Sequence, residues 1–95
     1  MKRKYESMFI IRQLADEKLK ENIEKVKNFI TKKEGELLEV KEWGERKLAY
    51  EIDHYNEGYY VIILFNLDAN YISSLENFYK LNENIIRFIV IKQDR

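Results

Sequence analysis

The chain has 95 residues, with 17 basic and 17 acidic side chains that cancel at pH 7. The total charge therefore gives no indication of a nucleic-acid partner, and any basic surface has to come from local clustering. Cysteine is absent, which excludes disulfides and thiolate metal sites. No apolar run approaches the ~20 residues of a membrane span. With 45% hydrophobic residues, residues 1–95 can fold as a single domain.

The first third of the chain predicts a strand followed by a helix. Apolar side chains alternate through residues 5–11. One face of this strand carries Tyr5, Phe9 and Ile11, and the other carries Met8 and Ile10. Asp16 suits the N-cap of a helix, and Gly35 suits the stop signal at its end. The apolar positions at helical spacing are Leu19, Ile23, Val26, Phe29 and Ile30.

A long β-hairpin is predicted in the middle of the chain. Residues 36–52 form its first strand, which Gly44 interrupts with a bulge or bend. Residues 58–65 are almost wholly apolar and rich in β-branched and aromatic side chains, as is typical of a central strand. The polar segment 53–58 predicts the turn, because its Asn and Gly residues tolerate positive φ.

The last third predicts a second helix and a final strand. Asp68 can cap the helix, and its apolar face consists of Ile72, Leu75, Phe78 and Tyr79. In strand 85–92 Ile85 shares a face with Ile89 and Ile91, and Arg87 interrupts the apolar run. The order β-α-β-β-α-β with right-handed crossovers is an α+β, ferredoxin-like fold, a four-stranded antiparallel sheet with two helices on one face.

The helices of such a fold leave the other face of the sheet open. Met8 and Ile10 fall on this face, together with one alternating set from 58–65 and one from 85–91. An apolar open face favours a binding surface for a macromolecular partner. The alternatives are that long Lys or Arg side chains cover it, or that the protein self-associates there.

The sequence offers little for catalysis. His54 is the only histidine and lies in a predicted turn, where a solvated side chain is the usual outcome. The three glycines are isolated, so a phosphate-binding loop is not expected. We therefore expect no enzyme activity, no cofactor, no metal site and no small-molecule substrate.

Basic residues give more support to nucleic-acid binding. Lys2 and Arg3 precede the first strand, Arg46 and Lys47 lie in the hairpin, and Arg87 interrupts the last strand. The predicted strand order allows them to converge along one side, where they would bind phosphates without reading bases. The alternative is ordinary solubilising charge. Residues 58–65 also loosely resemble the third strand of RNA-recognition motifs, although most of their aromatic side chains are expected in the core.

The hairpin indicates a family. Residues 43–52 read Trp-Gly-Glu-Arg-Lys-Leu-Ala-Tyr-Glu-Ile. This segment resembles the signature of the bacterial small-subunit ribosomal protein S6 family: Gly, any residue, a basic and a polar residue, Leu-Ala-Tyr, any residue, Ile. The likeness extends to residues 5–6, 58–61 and 82–90, with Arg87 at a basic family position.

The resemblance implies a ferredoxin-like, non-enzymatic component of the cytoplasmic small ribosomal subunit. Such a protein binds the central domain of small-subunit ribosomal RNA together with ribosomal protein S18. The expected RNA contacts are Lys2, Arg3, Arg46, Lys47 and Arg87. The expected contacts to the protein partner are Met8 and Ile10, with Tyr60 and Ile62 where these do not belong to the core. The alternatives are a stand-alone single-stranded RNA-binding module and a small-molecule regulatory or enzymatic domain on the same fold.

Overall fold

The computed structural model describes residues 1–52 and 54–93 and has the element order β-α-β-β-α-β. The strands are β1 (Lys2–Ile11), β2 (Glu36–Ile52), β3 (Tyr55–Asp68) and β4 (Ile85–Lys92), and the helices are α1 (Asp16–Lys32) and α2 (Ile72–Leu81). A 3₁₀ turn, Ala69–Tyr71, precedes α2. The strands form one antiparallel sheet in the order β2-β3-β1-β4. The ferredoxin-like prediction is confirmed.

Both helices pack against the same face of the sheet, and the core lies between them and this face. Alternation along β1 directs Ser7 into this core beside the predicted aromatic and aliphatic residues. The Ser7 hydroxyl lies 2.6 Å from that of Tyr79 in α2, and both side chains are fully buried. The fully buried apolar residues include Phe9, Ile11, Val26, Ile30, Val61, Ile63, Phe65, Leu67 and Leu75.

The helix starts differ from the sequence prediction. Ala15, not Asp16, is the N-cap of α1, and no side chain caps the helix there. Asp16 is the first helical residue, where its negative charge still favours the positive end of the helix dipole. Asp68 acts as a cap, but for the 3₁₀ turn: its carboxylate accepts a hydrogen bond from the backbone N–H of Asn70 at 2.9 Å.

The end of α1 has the backbone hydrogen bonds of a Schellman motif. The N–H of Gly35 donates to the carbonyl of Ile30 at 2.8 Å, and the N–H of Glu34 donates to that of Thr31 at 3.0 Å. The left-handed residue is Glu34, with φ 62°, rather than the predicted Gly35. Gly35 is needed for space, because a Cβ there would lie 2.7 Å from Ile30 Cγ2 and 2.8 Å from the carbonyl oxygen of Asn66.

The predicted turn 53–58 is shorter in the structure, since its last four residues belong to β3. The positive φ of 70° is at His54 and not at the Asn or Gly of the segment. Gly58 instead permits close approach, because a Cβ there would clash with Cγ2 of Ile10. Asp53 lies outside the described residues.

A bulge alters the two faces of β4. The pairing with β1 skips Ile86, so the alternation of side chains reverses at that point. Ile85 therefore lies in the core, as does the side chain of Phe88, while Ile89 and Ile91 lie on the open face. The predicted grouping of Ile85 with Ile89 and Ile91 is wrong for this reason.

A polar network joins both helices to the end of β1. Asn22 of α1 is almost fully buried, and its side-chain amide donates to the carbonyl of Lys18 at 2.8 Å. Its oxygen accepts from the amides of Asn82 at 3.0 Å and Asn84 at 3.3 Å. The guanidinium of Arg12 donates to the side chain of Asn84 at 2.9 Å. These asparagine side chains thus link the two helices to each other and to the end of β1.

Candidate nucleic-acid and protein interfaces

The open face of the sheet carries its side chains in rows that cross the strands. The three central rows, each in the order β3, β1, β4, are Tyr60, Ile10 and Arg87; Ile62, Met8 and Ile89; and Leu64, Glu6 and Ile91. In β2 the rows continue to Gly44, Lys41 and Glu39. The face is therefore apolar at its centre, with charged side chains at its rim and at Glu6.

The residues predicted to contact a protein partner all lie on the open face, but they are not equally accessible. Ile10 and Ile62 are only 3% and 7% exposed. Met8 and Tyr60 are partly exposed. The sequence predicted that one alternating set from 85–91 would lie on this face, and the structure identifies its exposed members as Ile89 and Ile91, each 46% exposed. Ile89 and Ile91 on the edge strand β4 are therefore more accessible than Ile10 and Ile62 at the centre of the face.

The end of the hairpin covers part of this face. Pairing between β2 and β3 jumps from Lys47 opposite Glu57 to Ile52 opposite Tyr55, so four residues of β2 bulge out. These residues and the sheet border an open groove of about 190 Å³. Its lining includes Leu48, Ala49 and Tyr50 from the hairpin, and Ile10, Tyr60 and Arg87 from the open face. The simple alternation predicted for this segment breaks at the bulge, where Tyr50 is 67% exposed.

The basic residues do not converge at a single place. Lys2 pairs with Asp68 and Arg46 pairs with Gly58, so they lie at opposite ends of β3. Ten residue steps separate these ends, about 33 Å of strand. Arg87 also lies near the hairpin end, but it belongs to β4, which is at the opposite edge of the sheet from β2. The expected convergence is wrong for Lys2 and Arg3, while Arg46, Lys47 and Arg87 flank one end.

These three cations are available to an external anion. Arg46, Lys47 and Arg87 are exposed. None of them takes part in an ion pair within residues 1–52 and 54–93. An exposed arginine can form two hydrogen bonds to one phosphate at little desolvation cost. The arrangement is suited to phosphate binding around the hairpin end.

Trp43 is a surface residue that was not predicted to contact RNA or protein, although it belongs to the segment that resembles the family signature. The guanidinium carbon of Arg46 lies over its ring, 5.5 Å from the ring centroid. Arg46 also donates a long hydrogen bond of 3.4 Å to the backbone oxygen of Trp43. The signal in the sequence was a tryptophan beside Gly44 with an arginine three residues later.

Acidic side chains near this segment gather on the helix-covered side of the sheet. The hydroxyl of Tyr59 donates to the carboxylate of Glu42 at 2.8 Å. The hydrogen bond to Glu42 is the main cause of the raised pKa of Tyr59, and the charge of Glu45 raises this pKa further. Glu42 and Glu45 thus have a local role around Tyr59, away from the open face.

Other kinds of site lack structural support in the described part of the chain. His54 is exposed at the hairpin turn. Residues 1–52 and 54–93 contain no group of three or more potential metal-ligating side chains. Their helices are also too short or too polar to span a membrane.

Comparison with known proteins identifies the family. The profile described as Ribosomal protein S6 matches residues 4–92, nearly the whole chain. The chain belongs to the ribosomal protein S6 family. It is 43% identical over 93 residues to the small ribosomal subunit protein bS6 of Thermoanaerobacter pseudethanolicus, with 97% of this chain and 98% of that protein covered. The bS6 protein of Clostridium acetobutylicum is 42% identical with the same coverage.

A solved structure supports the same assignment. The crystal structure of the 30S ribosomal protein S6 from Thermotoga maritima matches with a TM-score of 0.88 and 41% sequence identity. The match covers 98% of this chain and 89% of the other. Both the resemblance found in the hairpin and the ferredoxin-like fold are confirmed.

Membership of the S6 family also confirms that the protein is not an enzyme, because this is a family of structural ribosomal proteins. The S6 signature maps onto the outer half of β2, from the bulge at Gly44 to Ile52. This half carries Arg46 and Lys47 and the hairpin segment that bends over the open face.

Proposed function

We propose that this protein is a structural component of the small ribosomal subunit in the cytoplasm, and that it binds the central domain of small-subunit ribosomal RNA together with ribosomal protein S18. The observation that carries the proposal is the open sheet face. In a chain of the S6 family, this face combines exposed apolar side chains with arginines that have no ion-pair partner among the described residues. The combination suits a protein and an RNA that bind side by side.

The protein partner would occupy the accessible part of the apolar surface. Met8 and Tyr60 contribute to it, and Ile89 and Ile91 extend it to the free edge of β4. Ile10 and Ile62 are nearly buried, so they support the contact residues but contribute little accessible surface themselves. Apolar side chains at the centre with charges at the rim are typical of protein interfaces.

The RNA would contact the cations at the two ends of the sheet. Arg46, Lys47 and Arg87 lie around the hairpin end, and Lys2 and Arg3 lie about 33 Å away along β3. Two separate contact regions of this kind fix the orientation of a protein on an RNA backbone.

The RNA contacts can be tested through the salt dependence of binding. In the presence of S18, Arg46→Ala combined with Arg87→Ala should weaken binding to a central-domain RNA fragment. It should also lower the slope of log K against log salt by about 0.7–0.9 for each lost phosphate contact. The matched control is Lys20→Ala with Lys25→Ala, which removes two exposed charges from α1.

The control variant should bind RNA as the unchanged protein does, because its substitutions lie on the helix-covered side. Circular dichroism should show that both variants keep the fold. An arginine variant with unchanged affinity and unchanged salt slope would contradict the proposed phosphate contacts.

A further inference from the structure

Trp43 is the single tryptophan of the chain, and half of its surface is exposed. A bulge explains this exposure. Glu42 pairs with Val61 and Gly44 pairs with Tyr60, so Trp43 is the extra residue between two paired positions. A side chain at such a position is re-aimed relative to the regular pleat.

Gly44 maintains the bulge through its backbone conformation. Its φ is 93°, a value that L side chains rarely adopt. Space is not the reason for glycine here, because a Cβ would meet nothing within 4 Å. The bulge thus keeps an indole ring half exposed at the surface.

The cation in contact with the ring is the guanidinium of Arg46. Arg46 lies over the indole, and Lys47 follows it in the chain. The carboxylate of Glu42 is engaged by Tyr59 on the other side of the sheet, and Glu45 lies opposite Tyr59 in the ladder. Arginine and tryptophan are common in protein interfaces, but lysine is depleted there, so an exposed arginine followed directly by an exposed lysine fits a polyanion better than a protein. Two cations without ion-pair partners in the described part of the chain favour a polyanion.

We propose that Trp43 and Arg46 together form a stacking site for one unpaired base of an RNA strand, with Lys47 beside the adjoining phosphate. The inference rests on the proposed function in taking RNA as the partner, and it adds a contact that involves a base. Aromatic rings and guanidinium planes both stack on nucleobases, without a requirement for a particular base. Arg46 holds the indole in place, which lowers the entropy lost on stacking.

The fluorescence of Trp43 gives a direct test, because no other tryptophan contributes to the signal. A 12-nucleotide oligoadenylate at low salt should quench this fluorescence until the site is saturated. An abasic strand of the same length and charge should leave it nearly unchanged. In fluorescence anisotropy with labelled oligoadenylate, Trp43→Leu should lower the affinity by about 5- to 150-fold, the loss typical of one stacked base.

Tyr71 provides a matched control. It is another exposed aromatic residue with a cation over its ring, because Lys33 Nζ lies 5.3 Å from the ring centroid, but it lies outside the hairpin. Tyr71→Leu should bind oligoadenylate as the unchanged protein does. If the abasic strand quenches as strongly as oligoadenylate, or if Trp43→Leu and Tyr71→Leu lose affinity equally, the stacking site is overturned.

A second arm separates this inference from the proposed function. The central-domain RNA fragment and S18 are added to the protein, and complex formation is followed by gel shift while the tryptophan signal is recorded. A complex that forms with unchanged Trp43 fluorescence would overturn the stacking site and leave the proposed function intact. Quenching by oligoadenylate without any complex would support the site and overturn the proposed function. A signal change on adding S18 alone, with none on adding RNA, would make Trp43 a protein contact and overturn the inference.

Discussion

The hydrogen bond between Ser7 and Tyr79 joins β1 to α2 inside the core, and its removal should destabilise the fold by a predictable amount. The two hydroxyl oxygens are 2.6 Å apart and both residues are fully buried. Tyr79→Phe leaves the Ser7 hydroxyl without this partner, and Ser7→Ala does the same to the phenol. A buried polar group without a hydrogen bond costs about 1–3 kcal/mol. Each single variant should lose stability by this amount.

The double variant should be less unstable than the sum of the single losses, because neither hydroxyl is then left unsatisfied. Urea unfolding followed by circular dichroism measures the three free energies of unfolding, and an unchanged m-value would show that the unfolding reaction is the same. For a domain of this size, 1 kcal/mol corresponds to about 4–8 °C in Tm. Strictly additive losses, or single losses below about 0.5 kcal/mol, would refute the assigned role of this bond.

Two other predictions concern backbone conformation and pH. Glu34→Gly should stabilise the protein by about 0.5–1 kcal/mol in urea unfolding, because glycine adopts the left-handed conformation at the end of α1 without the strain of a side chain; a loss of stability would contradict the Schellman assignment. Burial raises the pKa of Tyr79 above its ordinary value, so the folded state favours the neutral phenol. The stability that this contributes is complete below the unfolded tyrosine pKa of about 10 and is lost as pH rises beyond it. Tyr79→Phe should reduce the decline in stability between pH 9 and 11, although the raised pKa of Tyr59 leaves some of it; an unchanged slope would refute this effect.

The sequence was sufficient to predict the fold because the spacing of apolar residues along each element reflects which side chains are buried. Apolar side chains must alternate with others along β1, and they must recur every three to four residues along α1, if each element is to cover one face of the same core. The bulge at Gly44 was also predictable, since an isolated glycine within a strand pattern has a conformational reason.

Register was harder to predict, because it depends on how strands pair. The extra residue at Ile86 reverses the faces of β4, and alternation alone shows no sign of it. The four unpaired residues before Ile52 likewise depend on contacts between the hairpin end and the open face. The end of α1 was also not fully predictable from local sequence. The left-handed position at a helix end usually holds glycine, but here it holds Glu34.

The candidate site was predicted in composition more than in arrangement. Arg46, Lys47 and Arg87 are exposed as expected, but the length of β3 separates them from Lys2 and Arg3. Strand order alone gave the neighbours of each strand but not the position along it. The alternation of side chains also did not predict how accessible each residue is, because Ile10 is buried although it lies on the open face.

Cooperative binding is the most direct test of the proposed role in the small subunit. The protein, S18 and a central-domain ribosomal RNA fragment are mixed in pairs and then all together, and binding is followed by gel shift across a range of salt concentrations. We predict that a stable complex forms only when both proteins are present. Tight RNA binding by this protein alone would contradict the account in favour of a stand-alone RNA-binding module, and no binding in any mixture would contradict the ribosomal RNA and S18 partnership itself.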